Sequence, residues 1–334
     1  MTIADELREA PHAVERQAAA LVPPLRALAA RLRARPPRVV VTCARGSSAH
    51  AATFAKHLIE LHLGIPVAPA APNIASVYRR RLRLDGELFL AISQSGRSDD
   101  LVAYAAMARA AGALTAAFVN DSDSPLAAAS DIVLPLGAGP ERGVAATKTV
   151  IASLAALLRL VALWTEDPAL AAALDRLPRR LAAATELDWR AALDPLAAAP
   201  SLVALGRGPT LAITREAALK LKEVANIHAE AFSGAEFLHG PVALVASDYP
   251  ILVLMPTDVA AEGLRLLVAD LKAKGAALLT AMEGGALPVL PPDRPESDAI
   301  CLIQSFYAMI PPLAARLGID PDRPRHLQKV TRTR

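Results

Sequence analysis

At 334 residues the chain is long enough for one large domain or two of medium size. Its net charge of +3 and aromatic content of 4% argue against a nucleic-acid or membrane-surface binder and against a base-stacking platform. Ala supplies much of the 53% hydrophobic fraction, so closely packed helices are expected, and Cys43 and Cys301 are too isolated for a metal site or a disulfide framework.

The N-terminus, MTIADELREAPH, is charged and acidic, so no secretory leader is expected. Residues 1–34 read as a helical arm. Then strand-like runs alternate with helix-length segments: RVVVTC, HAATFAKHLIELHLG, ELFLAIS, DDLVAYAAMARAAG and ALTAAFVN. Gly64 and Gly112 supply the stop signals. Such alternation predicts a parallel sheet with helices on both faces, here over residues 35–165. The basic run YRRRLRL (78–84) reads as a solvated helix face. Residues 143–164 approach membrane-spanning length, but Lys148 and Arg159 interrupt an Ala-dominated stretch, which favours a buried core helix. A soluble, cytoplasmic protein is expected, with no membrane and no nucleic-acid partner.

Residues 166–195 read as a linker of short helices broken by Pro. Beyond it the pattern repeats. SLVALGRG (201–208) resembles VVVTCARG (39–46), PILVLMP (250–256) stands where LFLAISQ (88–94) stood, and LKAKGAALLTAM echoes MARAAGALTAAF, all at an offset of about 162 residues. The expected fold class is therefore α/β: two tandem doubly wound, flavodoxin-like parallel sheets, the second over 196–319. Residues 320–334 form a polar, Pro-broken tail.

Two strand ends carry unusual side chains. After FLAIS come Ser93, Gln94, Ser95, Gly96 and Ser98; after VVVTC come Gly46, Ser47 and Ser48. In an open parallel sheet, ligands bind beyond the carboxyl ends of strands. Free N–H groups at the following helix N-terminus, hydroxyl and amide donors and a glycine together suit a phosphate. One helix cap would account for Ser98, but not for the others. No Walker lysine and no G-x-G-x-x-G is present, so a nucleotide is not implied.

The second half offers different chemistry. Glu216, Lys220 and Glu223 fall at i, i+4 and i+7 of a helical stretch and share one face. Taken alone, that pattern is expected as a solvent-exposed ion-pair stripe. His228, Glu230, Glu236 and His239 have no metal-ligand spacing, and acid–base work by a carboxylate and a histidine fits them better. Lys329 reads as an exposed basic residue.

SQSGRSDD, AGPERGVAATK, LGRG, EAALKLKEVANIHAEAF, HGP and PRHLQK occur in this order across almost the whole chain. Together they resemble the double sugar isomerase (SIS) module of glucosamine-6-phosphate synthase. CARGSSAHAATFAKHLIE looks closest to stand-alone SIS-type glucosamine-6-phosphate deaminases. Thr2, not a cysteine, follows Met1, so no glutaminase nucleophile is expected.

The resemblance implies a phosphate clamp of Ser48, Ser93, Gln94, Ser95 and Ser98, with Val144 and Ala145 lining the sugar pocket. It implies Glu223 as the proton shuttle between C1 and C2, with Lys220 beside it. His239 would open the ring from the neighbouring subunit of a homodimer, and Lys329 would form an imine with the open-chain sugar. No metal and no organic cofactor is implied. Arg97, Gln328 and the ending VTRTR depart from the synthase pattern. The resemblance leaves other activities open: ammonia-dependent aminotransfer, deamination of another amino-sugar phosphate, or sugar-phosphate sensing without catalysis.

Overall fold

Short apolar runs separated by helix-length segments fold into two all-parallel sheets in a computed structural model that describes residues 2–329. Helix α1 (Ile3–Ala34) comes first. The first sheet comprises β1 (Val40–Cys43), β2 (Val67–Pro69), β3 (Leu88–Ser93), β4 (Leu114–Val119) and β5 (Ile132–Pro135). Between its strands run α2 (Ser47–Leu63), α3 (Asn73–Ser76), α4 (Asp99–Ala110) and α5 (Pro125–Ala128). Helices α6 (Lys148–Thr165), α7 (Pro168–Thr185) and α8 (Leu193–Ala198) lead to the second sheet. Its strands are β6 (Ser201–Gly206), β7 (His228–Ser233), β8 (Pro250–Leu254) and β9 (Ala277–Ala281). They are connected by α9 (Thr210–Ala225), α10 (Gly234–Phe237) and α11 (Ala261–Ala273), and α12 (Pro295–Arg316) follows.

The strand orders are β2-β1-β3-β4-β5 and β7-β6-β8-β9. They are the same order with one strand fewer, so the repeat seen at an offset of about 162 residues is a repeat of topology. In each sheet the order reverses between the first strand and its inward neighbour, β1 and β3 or β6 and β8. All six residues of β3 are buried, as expected of a parallel strand covered on both faces.

The chain divides into two compact units. One contains Glu9–Arg142, Lys148–Asp175 and the chain from Gln328, and holds the first sheet. The other contains the chain up to Arg8, Gly143–Thr147 and Arg176–Leu327, and holds the second sheet. In the first, Phe89 stacks on Tyr104 with ring centroids 5.4 Å apart. In the second, Val203, Phe237, Ile251, Val253 and Leu264 pack between sheet and helices.

Several local expectations need correction. The basic run is exposed over 78–83 and ends on buried Leu84, but it is not helical, because α3 ends at Ser76 and Arg79 takes a positive φ of 52°, which no α-helix accommodates. Residues 166–195 are not a string of Pro-broken fragments. Helix α7 continues through Pro178 for 18 residues, with Leu174, Leu177 and Leu181 buried on its inner face. That burial offsets the backbone hydrogen bond the proline removes. The long apolar stretch is helical from Lys148, and α6 and α12 have membrane-spanning length and hydropathy yet are 83% and 78% buried in the protein, as core helices are.

Cys43 and Cys301 are buried free thiols, and burial pushes both up to about 12. Neither is expected to react with a charged aromatic disulfide reagent at about pH 8 in the native protein, where the thiolate is scarce. Both are expected to react once denaturant unfolds the chain. Stopped-flow thiol titration checks this.

Candidate active site

In the unit of the first sheet, β1 and β3 are paired neighbours, with Cys43 opposite Ala91. Their carboxyl ends therefore deliver the Gly46–Ser48 turn and the Ser93–Ser98 turn to the point where the strand order reverses, the usual ligand crevice of such sheets. The second turn is built around Gly96. Its N–H donates to Ser93 Oγ at 3.0 Å and its φ is +63°. A Cβ there would lie 2.1 Å from Ser124 Oγ, so only glycine fits.

Ser98 stands at the N-cap of α4 without a side-chain cap bond, so its hydroxyl is not committed to the helix. Gly46 stands likewise at the start of α2, leaving the first N–H groups of that helix without a side-chain cap. Arg45, in the first turn, donates through Nε to buried Asp100 on α4 at 2.9 Å. That ion pair ties the two turns together and cancels the arginine's charge, so hydroxyls and helix N-termini are what remain for an anion. Arg97 is turned to Asp121 at 2.8 Å.

The same unit holds Lys329. Its Nζ lies 3.2 Å from Glu141 Oε2, and the Glu141 side chain is fully buried. Glu141 also accepts from the N–H and Oγ1 of Thr149, at 3.0 and 2.8 Å, in the first turn of α6. Lys148 beside it is buried and reaches Glu9 Oε2 at 2.7 Å, which holds the Glu9 carboxyl below the usual carboxylate range. Lys329 is thus docked rather than freely exposed, contrary to the reading of that residue in isolation. Residues 330–334, with the VTRTR ending, lie outside the described residues.

In the unit of the second sheet, α9 carries Glu216, Lys220 and Glu223. The face they share is not the solvent stripe their spacing alone suggests. Lys220 is 0% and Glu216 1% exposed, while the Glu223 side chain keeps 22%. The helix is pulled close to the sheet because Gly206 has no side chain, where a Cβ would lie 2.2 Å from Thr214 Oγ1. α12 covers the face. Lys220 Nζ lies 3.1 Å from Glu216 Oε1 and hydrogen-bonds Glu223 Oε2, and the Tyr307 hydroxyl donates to Glu216 Oε1 at 2.9 Å.

Burial by itself lowers the pKa of the Lys220 ammonium, but the Coulombic pull of Glu216 and Glu223 outweighs it, and the net shift is upward. Lys220 therefore stays charged and cannot be the base. Glu223 is the member of the group with access to solvent, and so to a substrate.

His239 is exposed in the loop after α10, and its backbone N–H donates to Glu236 O at 3.0 Å. Ala145 is buried and Val144 half-buried, in a loop whose Gly143 N–H donates to both Glu6 carboxylate oxygens, at 3.1 and 3.2 Å. The clamp residues Ser48, Ser93, Gln94, Ser95 and Ser98 thus share a unit with Lys329, and Glu223, Lys220, His239, Val144 and Ala145 share the other. Sequence reasoning missed Tyr307 and Glu141. Nothing flags a tyrosine 91 positions from its partner, whereas AGPERG did mark Glu141 as part of a motif.

The SIS domain pattern matches residues 35–163 and 195–284. A glutamine–fructose-6-phosphate aminotransferase (isomerizing) from Caulobacter vibrioides is 35% identical over 316 residues, covering 87% of this chain and 51% of that protein. The chain thus spans about half the length of the curated relatives it matches. A candidate phosphosugar isomerase from Silicibacter pomeroyi superposes with a TM-score of 0.91 at 44% identity, over 96% of this chain and all of that one. The C-terminal domain of glucosamine-fructose-6-phosphate aminotransferase from Francisella tularensis gives 0.85 at 25% identity, over 95% and 96%.

Gly96→Ala is expected to cost about 2 kcal/mol or more, from the left-handed backbone and the clash with Ser124, as read by chemical unfolding. Lys220→Met leaves two carboxylates facing each other without their cation and is expected to cost about 3–5 kcal/mol. Because the Lys220 pKa is raised, its contribution to stability is present below the unfolded lysine pKa and is lost only as pH rises through the folded one. The Lys220→Met deficit is therefore expected to be flat from about pH 6 to about pH 9 in unfolding curves.

Proposed function

This chain belongs to the SIS domain family, and from that premise we propose that it is a glucosamine-6-phosphate deaminase of the isomerizing kind. The observation that carries the reading is the buried Glu216–Lys220–Glu223 group, which leaves one carboxylate accessible and fixes its neighbours. A sugar-binding regulator has no need to keep a buried charge group of this kind.

In this reading the two hydroxyl-rich turns anchor the sugar phosphate, and the anchor orients the reacting carbons. His239, contributed from the partner of a homodimer, moves the ring proton between O5 and O1 to open the hemiacetal. Glu223 takes the proton from C2 of the open-chain aldose amine and returns it to C1, which converts the amine at C2 to an imine. Lys329 adds to that imine carbon, ammonia leaves, and water releases fructose 6-phosphate and the free lysine. The balance is glucosamine 6-phosphate plus water giving fructose 6-phosphate plus ammonia, and no cofactor takes part. Glu141, 3.2 Å away, holds the Lys329 amine in place and is its positioning residue. A cytoplasmic location follows from the substrate.

A second reading has a specific observation behind it. The relative at 35% identity is named as an aminotransferase, so the same residues run in reverse with free ammonia would make the amino sugar. Following both directions distinguishes the two. Equimolar ammonia and fructose 6-phosphate released from glucosamine 6-phosphate support deamination. Product only from fructose 6-phosphate plus ammonium supports the synthetic direction, and no turnover either way favours a binding protein.

Glu223→Gln is expected to lower kcat by about 10²-fold or more while leaving sugar-phosphate affinity nearly unchanged, measured by turnover and calorimetry. Mixed dimers of Glu223→Gln and His239→Ala chains are expected to regain activity through hybrid sites. Borohydride with substrate is expected to trap a covalent adduct at Lys329. Glu141→Gln removes one partner of a buried ion pair and is expected to lower stability by about 3 kcal/mol, and trapping at Lys329 is expected to slow in the protein that remains folded.

A further inference from the structure

A cavity of about 480 Å³ lies inside the unit of the second sheet, and none of Glu216, Lys220, Glu223 and His239 lines it. Met255, Pro256 and Thr257, directly after β8, form one side, and Met282 and Glu283, directly after β9, another. In the repeat these β8 residues stand where Ser93, Gln94 and Ser95 stand in the first half. The cavity is therefore at the carboxyl edge of a parallel sheet, where ligands enter such folds, and its volume is that of a small-molecule site.

Its walls decide the class of ligand. Most are apolar: Leu187, Met255, Val289, Leu290 and Leu302. Most of the polar groups are already committed. Asp298 accepts from Arg180 Nη2 and from Thr257 Oγ1, each at 2.7 Å, and from the Asp293 N–H at 3.1 Å. Ser305 Oγ donates to Ala184 O at 2.9 Å. Two guanidinium groups are not fully used. Arg180 Nε is buried with no acceptor, and Arg265 has no ion-pair partner among the described residues. An uncharged sugar would need more free hydrogen-bonding partners than these walls offer. A phosphate dianion would face only one cation not already neutralised, since Arg180 is matched by Asp298.

We infer that this cavity is a second small-molecule site, which takes a monocarboxylate with an aliphatic body. The carboxylate meets Arg265 and the spare donor capacity of Arg180, and the body packs on Met255, Val289, Leu290 and Leu302. Such a carboxylate comes either as an amino acid or as a plain acid. Exposed Glu283 at the mouth, also without an ion pair among the described residues, tells the two apart, because only an amino acid brings it an ammonium.

The test is calorimetric titration of the full chain with L-leucine and, separately, with 4-methylvalerate. Arg265→Ala and Val289→Trp serve as variants, neither residue being part of the machinery proposed for the sugar. Their thermal unfolding is checked against wild type. At least one ligand is expected to bind saturably in the millimolar range or below. Arg265→Ala is expected to weaken it about tenfold or more, and Val289→Trp to abolish it by filling the space. Tighter binding of L-leucine assigns Glu283 to the ammonium, and tighter binding of 4-methylvalerate assigns the site to plain acids. Three results overturn the inference: neither ligand binds, binding survives both variants, or inorganic phosphate competes as well as either carboxylate. Sugar-phosphate turnover is not a readout here, so the outcome stands apart from the proposed deamination.

Discussion

A fully buried ammonium is tolerable only where carboxylates surround it, and Lys220 meets that condition through Glu216 and Glu223 on its own helix. Much of the second unit is organised around this. Gly206 lets α9 sit close enough to the sheet to bury the group, and α12 closes over it with the Tyr307 hydroxyl on Glu216. A helix that merely exposed the same three residues would gain about 0.2–0.5 kcal/mol from each pair. Buried, the group holds Glu223 in one place beside one charged neighbour.

The two sheets share a strand order but not a chemistry. At the end of β3 the chain has Ser93, Gln94 and Ser95 around a glycine in a left-handed conformation, and at the end of β8 it has Met255, Pro256 and Thr257. A parallel sheet supplies the same edge in both cases, with backbone donors at the helix starts and a crevice beyond the strands. Side chains then decide what the edge can hold. One edge is suited to a phosphate, while the other is walled by apolar groups with two arginines.

Buried ion pairs also organise the first unit. Glu141 is held by Thr149 and in turn holds Lys329, and Lys148 holds Glu9. The pairs bring residues far apart in sequence into register, such as Lys329 and Glu141, which no local propensity links. Arg45 and Asp100 do the same for the two turns after β1 and β3.

The sequence alone determined the class of fold, the repeat, and which strand ends and helix carry polar side chains. Each of these rests on periodicity or on neighbours a few residues away, and local physics sets both. It did not decide whether Glu216, Lys220 and Glu223 face solvent or core, because an i, i+4, i+7 pattern is the same in either setting. It misjudged Pro178, whose helix is kept by burial of Leu174, Leu177 and Leu181, and the run at 78–84, where Arg79 leaves the helical region. Nor could it supply Tyr307 for Glu216 or Glu141 for Lys329. Those pairings depend on which distant segments the folded chain brings together to neutralise buried charge, and only the tertiary structure sets that.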